Sequence, residues 1–165
     1  MIFVESNAKL TNVNFYRMSV EIKKLTIDEL DKFIELVLVF KETFEIQDSK
    51  PTSYDLLNKM IQNDAFHVFV AILDKKVIGG LTAYTLYHYF GNSPLIYIYD
   101  LAVKPEYQRQ SIGKQLITHL QTFCKTENIH EIFVQVDIED SHALDFYRST
   151  GAISNEVVHF TYLLK

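Results

Sequence analysis

The chain has 165 residues, 48% of them hydrophobic and 22% charged, a length that suits one domain and excludes a second full one. Its apolar runs fall far short of the roughly 20 residues that a membrane-spanning helix needs, so the composition predicts a soluble globular protein. A total of 16 Lys plus Arg against 21 Asp plus Glu gives a net charge of −5, which argues against nucleic acid or an anionic membrane as a partner and leaves room for a cationic one.

The N-terminal residues and the cysteine usage favour the cytoplasm. Cys124 is single and cannot form an internal disulfide, and the chain does not begin with the continuous apolar core of a signal peptide. With no cluster of Cys and His at ligand spacing, we expect no metal site. Residues 1–19 show no sustained period, so the sequence predicts an N-terminal extension of unknown role followed by one domain over residues 20–165.

Periodicity and turn residues predict the element order β α α β β β α β α β. Val20–Leu25 alternates weakly and indicates a first strand. Thr26-Ile27-Asp28-Glu29 has the spacing of a capping box, so a helix is expected to follow and to run to about Thr43. A second helix is indicated by apolar residues on one side, namely Leu56, Leu57, Met60 and Ile61.

Three strands are predicted next. Phe66–Leu73 is rich in β-forming residues and should form a hairpin with Val77–Tyr89. The pair Gly79-Gly80 inside the second of these strands indicates a bulge or a close backbone approach. Leu95–Val103 is nearly all apolar, a pattern typical of a strand buried on both faces, and Asp100 is its one carboxylate.

The last third of the chain predicts two helices and two strands. The first helix should end near Glu127, the strand Ile132–Val136 should follow, and the second helix, Ala143–Thr150, should stop at Gly151. Glu156–Leu164 is predicted to be the last strand. One buried face of the first helix carries Leu116, Ile117, Leu120, Phe123 and Cys124.

The loop after Val103 is suited to binding an anion. A strand, a tight loop and a helix in succession present free backbone N–H groups at the helix N-terminus. Residues 104–115 hold three bases, Lys104, Arg109 and Lys114, against one acid, Glu106, a local charge of +2. From this segment alone, a phosphate site and an ordinary turn with solvated charges both remain open.

Two stretches resemble the signatures of the GNAT acyl-CoA-dependent N-acetyltransferases. Residues 108–113, Gln-Arg-Gln-Ser-Ile-Gly, resemble (Q/R)xxGx(G/A), and residues 140–151 resemble NxxAxxxYxxxG with Asp140 in the Asn position. Between Tyr54 and Phe160 the chain is also similar to the type I aminoglycoside 3-N-acetyltransferases. The stretches that carry this likeness are Ile96–Val103, Arg109–Ile112, Val134–Asp137 and Glu156–Phe160.

The resemblance implies an α/β (α+β) GNAT fold, with a mixed, mostly antiparallel sheet flanked by helices. The sheet should open between the strands at Leu95–Val103 and Ile132–Val136, and acetyl-CoA should bind there as co-substrate. The residues implied in cofactor binding are Leu101, Val103, Gln108, Arg109, Gln110, Ser111, Ile112, Gly113, Lys114, Asp140, Ala143 and Tyr147.

One departure from the signature is Ser111, which stands where the family has its first Gly. If its φ is negative, Ser fits and its hydroxyl can donate to a phosphate. If its φ is positive, the Cβ is strained and cofactor affinity should fall.

The expected catalytic residues are Asp100, Tyr147 and Val103. An amine must be neutral to attack a thioester, and Asp100 lies near the phosphate loop, so we expect it to be the general base. The alternative is a structural Asp bonded to backbone or Tyr hydroxyls. The resemblance makes Tyr147 the general acid toward the CoA sulfur and the Val103 N–H the donor to the oxyanion.

Three further acids and one thiol complete the candidates. Asp137, Glu139 and Asp140 follow one strand and could together bind a polycationic substrate, although each alone is more typical of a solvated loop. Cys124 offers a competing mechanism as an acyl-carrying nucleophile. Its place on an apolar helix face predicts an inert thiol instead, so we expect direct transfer in a ternary complex.

The leading acceptor is the 3-amino group of an aminoglycoside. A polyamine, another small amine or a protein amine is the alternative within the fold. A CoA-binding regulatory module without turnover is the non-enzymatic alternative. Because members of this family are commonly dimers, the resemblance leaves a homodimer open.

Overall fold

The computed structural model describes residues 19–46, 52–91 and 93–164. Residues 1–18 of the expected N-terminal extension lie outside this description. Within it, no helix is long and apolar enough to cross a membrane. The elements are β1 Glu21–Lys24, α1 Leu30–Thr43, α2 Tyr54–Ile61, β2 Phe66–Leu73, β3 Lys76–Leu86, β4 Leu95–Val103, a 3₁₀ turn Pro105–Tyr107, α3 Ile112–Thr126, β5 Glu131–Val134 and α4 Ser141–Ser149.

The five strands form one sheet in the order β1-β2-β3-β4-β5. The pairs β1–β2, β2–β3 and β3–β4 are antiparallel, and β5 runs parallel to β4. The predicted mixed, mostly antiparallel sheet is therefore confirmed. The β4–β5 pairing covers only Leu95–Ile98 of β4, so the two strands part beyond Ile98, as expected.

Two hydrophobic cores lie on opposite faces of the sheet. Helices α1 and α2 cover one face, where Phe33 and Leu36 of α1 are almost fully buried. Helix α3 covers the other face with Leu116 and Leu120, both of which have no exposed surface. Because β2 and β3 lie between these layers, their side chains are buried on both sides, and the apolar runs seen in the sequence follow from that burial.

The Gly79-Gly80 pair has both properties that the sequence suggested. The β2–β3 register shifts between Ala71 and Ile72, next to the glycines. A Cβ at Gly80 would lie 2.4 Å from the Phe69 carbonyl oxygen and 2.7 Å from Leu36 Cδ1. Only a residue without a Cβ lets α1 lie this close to the sheet.

The capping box before α1 is half formed. The Thr26 N–H donates to Glu29 Oε2 at 3.1 Å, as predicted. The Thr26 hydroxyl, however, also donates to Glu29 Oε2, at 3.2 Å, and does not accept from the helix backbone. Glu29 is held in addition by Lys23 Nζ at 2.6 Å, so the ion pair with β1 turns this carboxylate toward the sheet.

The predicted strand at Glu156–Leu164 is wrong. Residues 152–164 follow α4 without helix or strand. Their apolar side chains are exposed, with 79% of Phe160 and 94% of Leu164 accessible. The segment has strand-forming residues, but a strand also needs a hydrogen-bonding neighbour, and this segment has none along its own chain in the described residues.

Candidate active site

A cavity of about 790 Å³ lies between the end of β4, the N-terminus of α3 and one face of α4. It brings together most of the residues that the sequence predicted for the cofactor. These are Leu101, Val103, Gln108, Arg109, Ser111, Ile112, Gly113, Lys114, Ala143 and Tyr147. Gln110, Asp100, Asp137, Glu139 and Asp140, which belong to the predicted site, do not line this cavity.

The N-terminus of α3 presents unpaired backbone N–H groups to the cavity. Gln115 is the first residue of this helix whose N–H reaches a backbone acceptor, the Ser111 carbonyl at 3.0 Å. The Ser111 side chain makes no capping bond. The N–H groups of Ile112, Gly113 and Lys114 are therefore free to bind an anion, which the helix dipole also favours.

The backbone of the loop is left-handed at two residues that are not glycine. Arg109 has φ 59° and Ser111 has φ 63°. An L-residue in this region carries a cost of about 1–2 kcal/mol. The φ of Ser111 is therefore positive, which is the case for which a lower cofactor affinity is expected. When left-handed residues alternate with right-handed ones, successive backbone N–H groups turn toward one concave surface, which is a typical anion-binding site.

The positive charge of the loop is only partly available. Lys104 Nζ lies 3.2 Å from Glu42 Oε2 of α1 and is neutralised there. Neither Arg109 nor Lys114 forms an ion pair in the described residues. The Gln108 side chain does not face an anion, since its Nε2 donates to the Val103 carbonyl at 2.9 Å and fixes the loop against β4.

The end of β4 directs backbone groups into the opening of the sheet. The Lys104 N–H donates to the Ile78 carbonyl at 2.9 Å, so these two residues form a hydrogen-bonded antiparallel pair. The next pair, Val103 with Gly79, is then of the non-hydrogen-bonded type, in which the N–H groups point away from each other. Because β5 pairs no further than Ile98, the Val103 N–H faces the gap between β4 and β5.

Asp100 lies beside a bulge in β4. Thr82 pairs with Asp100 and Ala83 pairs with Ile98, which leaves Tyr99 without a partner on β3. The carboxyl group of Asp100 is half-buried, and this burial raises its pKa. No hydrogen bond or ion pair to the Asp100 side chain is present among residues 19–46, 52–91 and 93–164, so the alternative of a structural Asp held by backbone or Tyr hydroxyls is not supported.

Tyr147 extends from α4 toward the same space as Asp100. Burial and the negative charge of Asp100 together raise the pKa of Tyr147 to about 12. Burial, Tyr99 and Asp100 also raise the pKa of Tyr84 on β3. Both phenols therefore keep their protons throughout the neutral range and cannot act as bases, whereas the Asp100 carboxylate can accept a proton.

Aromatic rings of β3, β4 and β5 lie in a row beside the bulge that precedes Asp100, and they were not predicted as site residues from the sequence. The rings of Tyr84 and Tyr99 are 5.8 Å apart, those of Tyr97 and Tyr99 are 6.1 Å apart, and Tyr97 stacks on Phe133 at 5.0 Å. Tyr99 is 60% exposed. The alternation of Tyr97 and Tyr99 was visible in the sequence, but the bulge that turns Tyr99 and Asp100 to one side was not.

The acids after β5 form a separate group. Asp137, Glu139 and Asp140 are exposed and line an open depression of about 500 Å³ together with Ile138. The Asp140 carboxylate accepts from the Ala143 N–H at 2.9 Å and caps α4. The structure thus gives Asp140 the task of starting the helix that carries Tyr147 rather than a place in the cavity wall.

Cys124 has no path to the acyl group. It is buried in the core beneath α3, with 3% of its surface exposed. Burial raises the pKa of its thiol to about 11, so the nucleophilic thiolate is scarce at neutral pH. The structure therefore favours direct transfer over a covalent cysteine intermediate.

The face of α4 supplies cavity residues outside the predicted set. His142, Asp145, Phe146 and Ser149 lie on one helix face at spacings of three, one and three, a signal that was present in the sequence. Thr43, Ala102 and Tyr107 also line the cavity. The Phe146 side chain of α4 lies against α3 at Gly113, where a Cβ would be 2.9 Å from Phe146 Cε2.

Comparison with known proteins matches this architecture to acetyltransferases. Residues 33–152 match the model of the Acetyltransferase (GNAT) family. A spermidine N(1)-acetyltransferase from Thermoplasma acidophilum is 27% identical over 149 residues, which cover 81% of this chain and 88% of that protein.

Solved structures give a closer similarity. An aminoglycoside acetyltransferase from an uncultured soil metagenomic sample, crystallised with sisomicin, is 44% identical, with a TM-score of 0.87 over 88% of this chain and 97% of that chain. The aminoglycoside N-acetyltransferase AAC(6')-Iy in complex with CoA shares the fold at 19% identity, with a TM-score of 0.74 over 88% of this chain and 95% of that chain.

Proposed function

The chain belongs to the GNAT acetyltransferase family, and from this premise we propose that it transfers the acetyl group of acetyl-CoA to the 3-amino group of an aminoglycoside. The observation that carries the proposal is the half-buried Asp100 carboxylate, which has no protein partner among the described residues and lies near the hydroxyl groups of Tyr84 and Tyr147. A cationic amine would supply the missing partner. The 44% identity to an aminoglycoside acetyltransferase supports this class of acceptor.

The anion end of the cavity suits the diphosphate of acetyl-CoA. The free N–H groups of Ile112, Gly113 and Lys114 can each donate to a phosphate oxygen. The side chains of Arg109 and Lys114 add the positive charge. The cavity volume of about 790 Å³ is within the range of sites that hold a bound small molecule.

Three residues would divide the chemistry. Asp100 accepts the proton that the amine loses as its nitrogen bonds to the acetyl carbonyl carbon. The Val103 N–H donates to the carbonyl oxygen, which becomes negative as the bond forms. The Tyr147 hydroxyl gives its proton to the sulfur as the carbon–sulfur bond breaks. Amide and free thiol are the products, so no oxidant or metal is needed.

The tyrosine rings near Asp100 favour the binding of an amino sugar over that of a linear polyamine. The faces of Tyr84 and Tyr99 can contact both an ammonium group and the C–H face of a sugar ring. A polyamine would use the ammonium contact alone. A polyamine is the second candidate acceptor, since the chain is 27% identical to a spermidine acetyltransferase.

An acceptor panel tests the proposal. Release of free thiol from acetyl-CoA is measured with sisomicin and gentamicin, with spermidine and spermine, and with a lysine peptide. We expect turnover with the aminoglycosides, and NMR of the product should show acetylation at the 3-amino nitrogen. Turnover with spermidine or spermine alone would show that the acceptor is a polyamine and not an aminoglycoside. Binding of CoA without turnover of any amine would indicate the regulatory module.

Asp100→Asn tests the general base. Asn keeps the size of the side chain but cannot accept the proton, so kcat near neutral pH should fall by about 10²–10⁴-fold while CoA binding is retained. In the unsubstituted enzyme kcat should rise with pH as Asp100 ionises, and burial shifts that rise above the usual carboxylate range. The variant should lack this limb of the profile.

The control is Asp74→Asn, in the exposed hairpin turn, where φ is 49° and Asn fits equally well. Unchanged turnover in Asp100→Asn would remove Asp100 as the base.

We further propose that the protein acts in the cytoplasm as a homodimer on a small-molecule amine, without nucleic acid or membrane as a partner. The single buried cysteine and the net charge of −5 support this assignment. The homodimer is supported by the exposed apolar side chains of residues 152–164.

A further inference from the structure

Thr43, the last residue of α1, is a polar residue of the cavity wall that lies outside both signature segments. It lines the cavity together with Ala102 and Val103 at the end of β4. Helix α1 covers the face of the sheet opposite to α3. Thr43 is therefore the residue that this second face of the sheet contributes to the wall.

The Thr43 hydroxyl group has no hydrogen-bond partner. Its oxygen is buried and forms no hydrogen bond in the part of the chain that the structure describes. A buried hydroxyl that has lost its water and gained no other partner lowers the stability of the fold. Such groups are rare in folded proteins, so each one calls for an explanation, of which a water molecule or a ligand is the usual one.

Other helical threonines of the chain show what distinguishes Thr43. The hydroxyl groups of Thr118, Thr122 and Thr126 in α3 donate to the backbone carbonyl four residues earlier, at 2.9, 2.9 and 3.1 Å. This acceptor is open to a threonine in any helix. The Val39 carbonyl offers the same bond to Thr43, which does not form it. The Thr43 hydroxyl is therefore not committed to its own helix.

Two contacts fix the place of Thr43 relative to β4. Glu42 Oε2, on the preceding residue, lies 3.2 Å from Nζ of Lys104, which directly follows β4. In the middle of α1, Leu36 lies against the sheet at Gly80, where a Cβ would be 2.7 Å from Leu36 Cδ1. The end of α1 is thereby held next to the loop that leads to the anion end of the cavity.

Other polar side chains of the wall already have partners within the protein. The Gln108 amide donates to the Val103 carbonyl at 2.9 Å, and the Ser149 hydroxyl donates to the Phe146 carbonyl at 2.6 Å. The Thr43 hydroxyl is different, because it is neutral, unpartnered and able both to donate and to accept. These properties suit an amide or a hydroxyl group of a ligand better than a phosphate, for which the cations and N–H groups of the loop are available.

We propose that the Thr43 hydroxyl binds the neutral pantetheine arm of acetyl-CoA through a hydrogen bond to an amide or hydroxyl group of that arm. The arm connects the diphosphate, for which the N-terminus of α3 is suited, with the thioester, so it has to pass along the wall between them. Because threonine has two favoured rotamers in a helix, a rotation about its Cα–Cβ bond can turn the hydroxyl toward the arm. The proposal rests on acetyl-CoA as the co-substrate and not on the identity of the acceptor.

The first experiment replaces Thr43 by Val, which has nearly the same shape and no hydroxyl group. Loss of an unpartnered buried hydroxyl stabilises the fold, so ligand-free Thr43→Val should unfold about 2–4 °C above the unsubstituted protein. Loss of the bond to the arm should raise the Kd for CoA about 3- to 10-fold, measured by calorimetric titration. A Tm that does not rise, or an unchanged Kd for CoA, overturns the proposal.

The second experiment identifies the part of the ligand that the hydroxyl contacts. The probe is 3′-phospho-ADP, the part of CoA that lacks the pantetheine arm, and Thr43→Val should bind it as tightly as the unsubstituted protein does. An equal loss of affinity for CoA and for 3′-phospho-ADP would assign the contact to the phosphates. A higher KM for the acceptor with an unchanged Kd for CoA would assign it to the acceptor. Either result overturns the proposal.

Two control variants separate the hydroxyl group from the rest of the side chain. Thr43→Ser keeps the hydroxyl and should retain most of the affinity for CoA, whereas a loss as large as that in Thr43→Val would assign the effect to the methyl group and overturn the proposal. Thr122→Val removes an exposed hydroxyl that donates within α3, and it should neither raise the Tm nor change the Kd for CoA. Because unfolding and CoA binding need no acceptor, a wrong acceptor assignment would leave these results unchanged.

Discussion

At the scale of single residues, Ser111 is the position where the chain departs most clearly from what its loop requires. Its φ of 63° is one that glycine adopts freely and serine does not. The residue is exposed and its side chain makes no hydrogen bond to the helix that it begins. No side-chain hydrogen bond in the described chain therefore offsets the strain, which lies next to the N–H groups expected to hold the diphosphate.

Ser111→Gly should bind CoA more tightly and unfold at higher temperature. Relief of the left-handed strain exceeds the added freedom of glycine in the unfolded chain, so we expect a gain of about 1 kcal/mol. Calorimetric titration with CoA and thermal unfolding measure the two effects. Asn128→Gly is the control, because Asn128 has φ 61° at the far end of α3 and should leave CoA affinity unchanged. Weaker CoA binding in Ser111→Gly would mean that the serine hydroxyl itself holds a phosphate.

The role proposed for Asp100 rests on the sequence, whereas the surroundings of this residue were not predictable from it. A lone carboxylate in an apolar strand is conspicuous in any sequence. The tyrosine rings around it depend on a bulge at Tyr99, which is a property of how β3 and β4 pair. The register of strand pairing is fixed by the whole sheet, so no local sequence pattern predicts the bulge.

At the scale of elements, helices were predicted best because their signals are local. The apolar faces of α1 and α3 follow from 3.6-residue spacing, and both helices begin and end within a few residues of the prediction. Strand β5 is shorter than predicted because its pairing with β4 stops at Val134. The prediction at Glu156–Leu164 failed for the same reason. A strand exists only with a hydrogen-bonding neighbour, and that segment has none among the described residues.

At the scale of the whole molecule, stability should depend on pH through His67. This side chain is 6% exposed, and its Nε2 lies 2.7 Å from Thr85 Oγ1 while its Nδ1 is buried without a partner. Burial lowers its pKa to about 4, with a further lowering by Lys24 that Asp64 partly opposes. Because the folded state binds this proton less readily than the unfolded chain, stability falls as pH drops from about 6.5 toward 4.

The loss should amount to about 2 kcal/mol between pH 7.5 and pH 5, measured by urea unfolding at each pH. His67→Gln should flatten this dependence, since Gln does not titrate, even if it lowers stability at pH 7.5. His119→Gln, at an exposed position on α3, should keep the full dependence. An equal loss in His67→Gln would assign the pH dependence to other groups.

The contact between Gly113 of α3 and the Phe146 ring of α4 depends on the side chain that glycine lacks. With Phe146 Cε2 only 2.9 Å from where a Cβ would be, any larger residue at this position would force the Phe146 ring to move. The N-terminus of α3 carries the N–H groups proposed to hold the diphosphate, and α4 carries Tyr147 next to Phe146. The two signature segments, about thirty residues apart in sequence, therefore meet at this one contact. Under the proposed function, the contact sets the distance between the site of the diphosphate and the hydroxyl group that would act on the thioester sulfur.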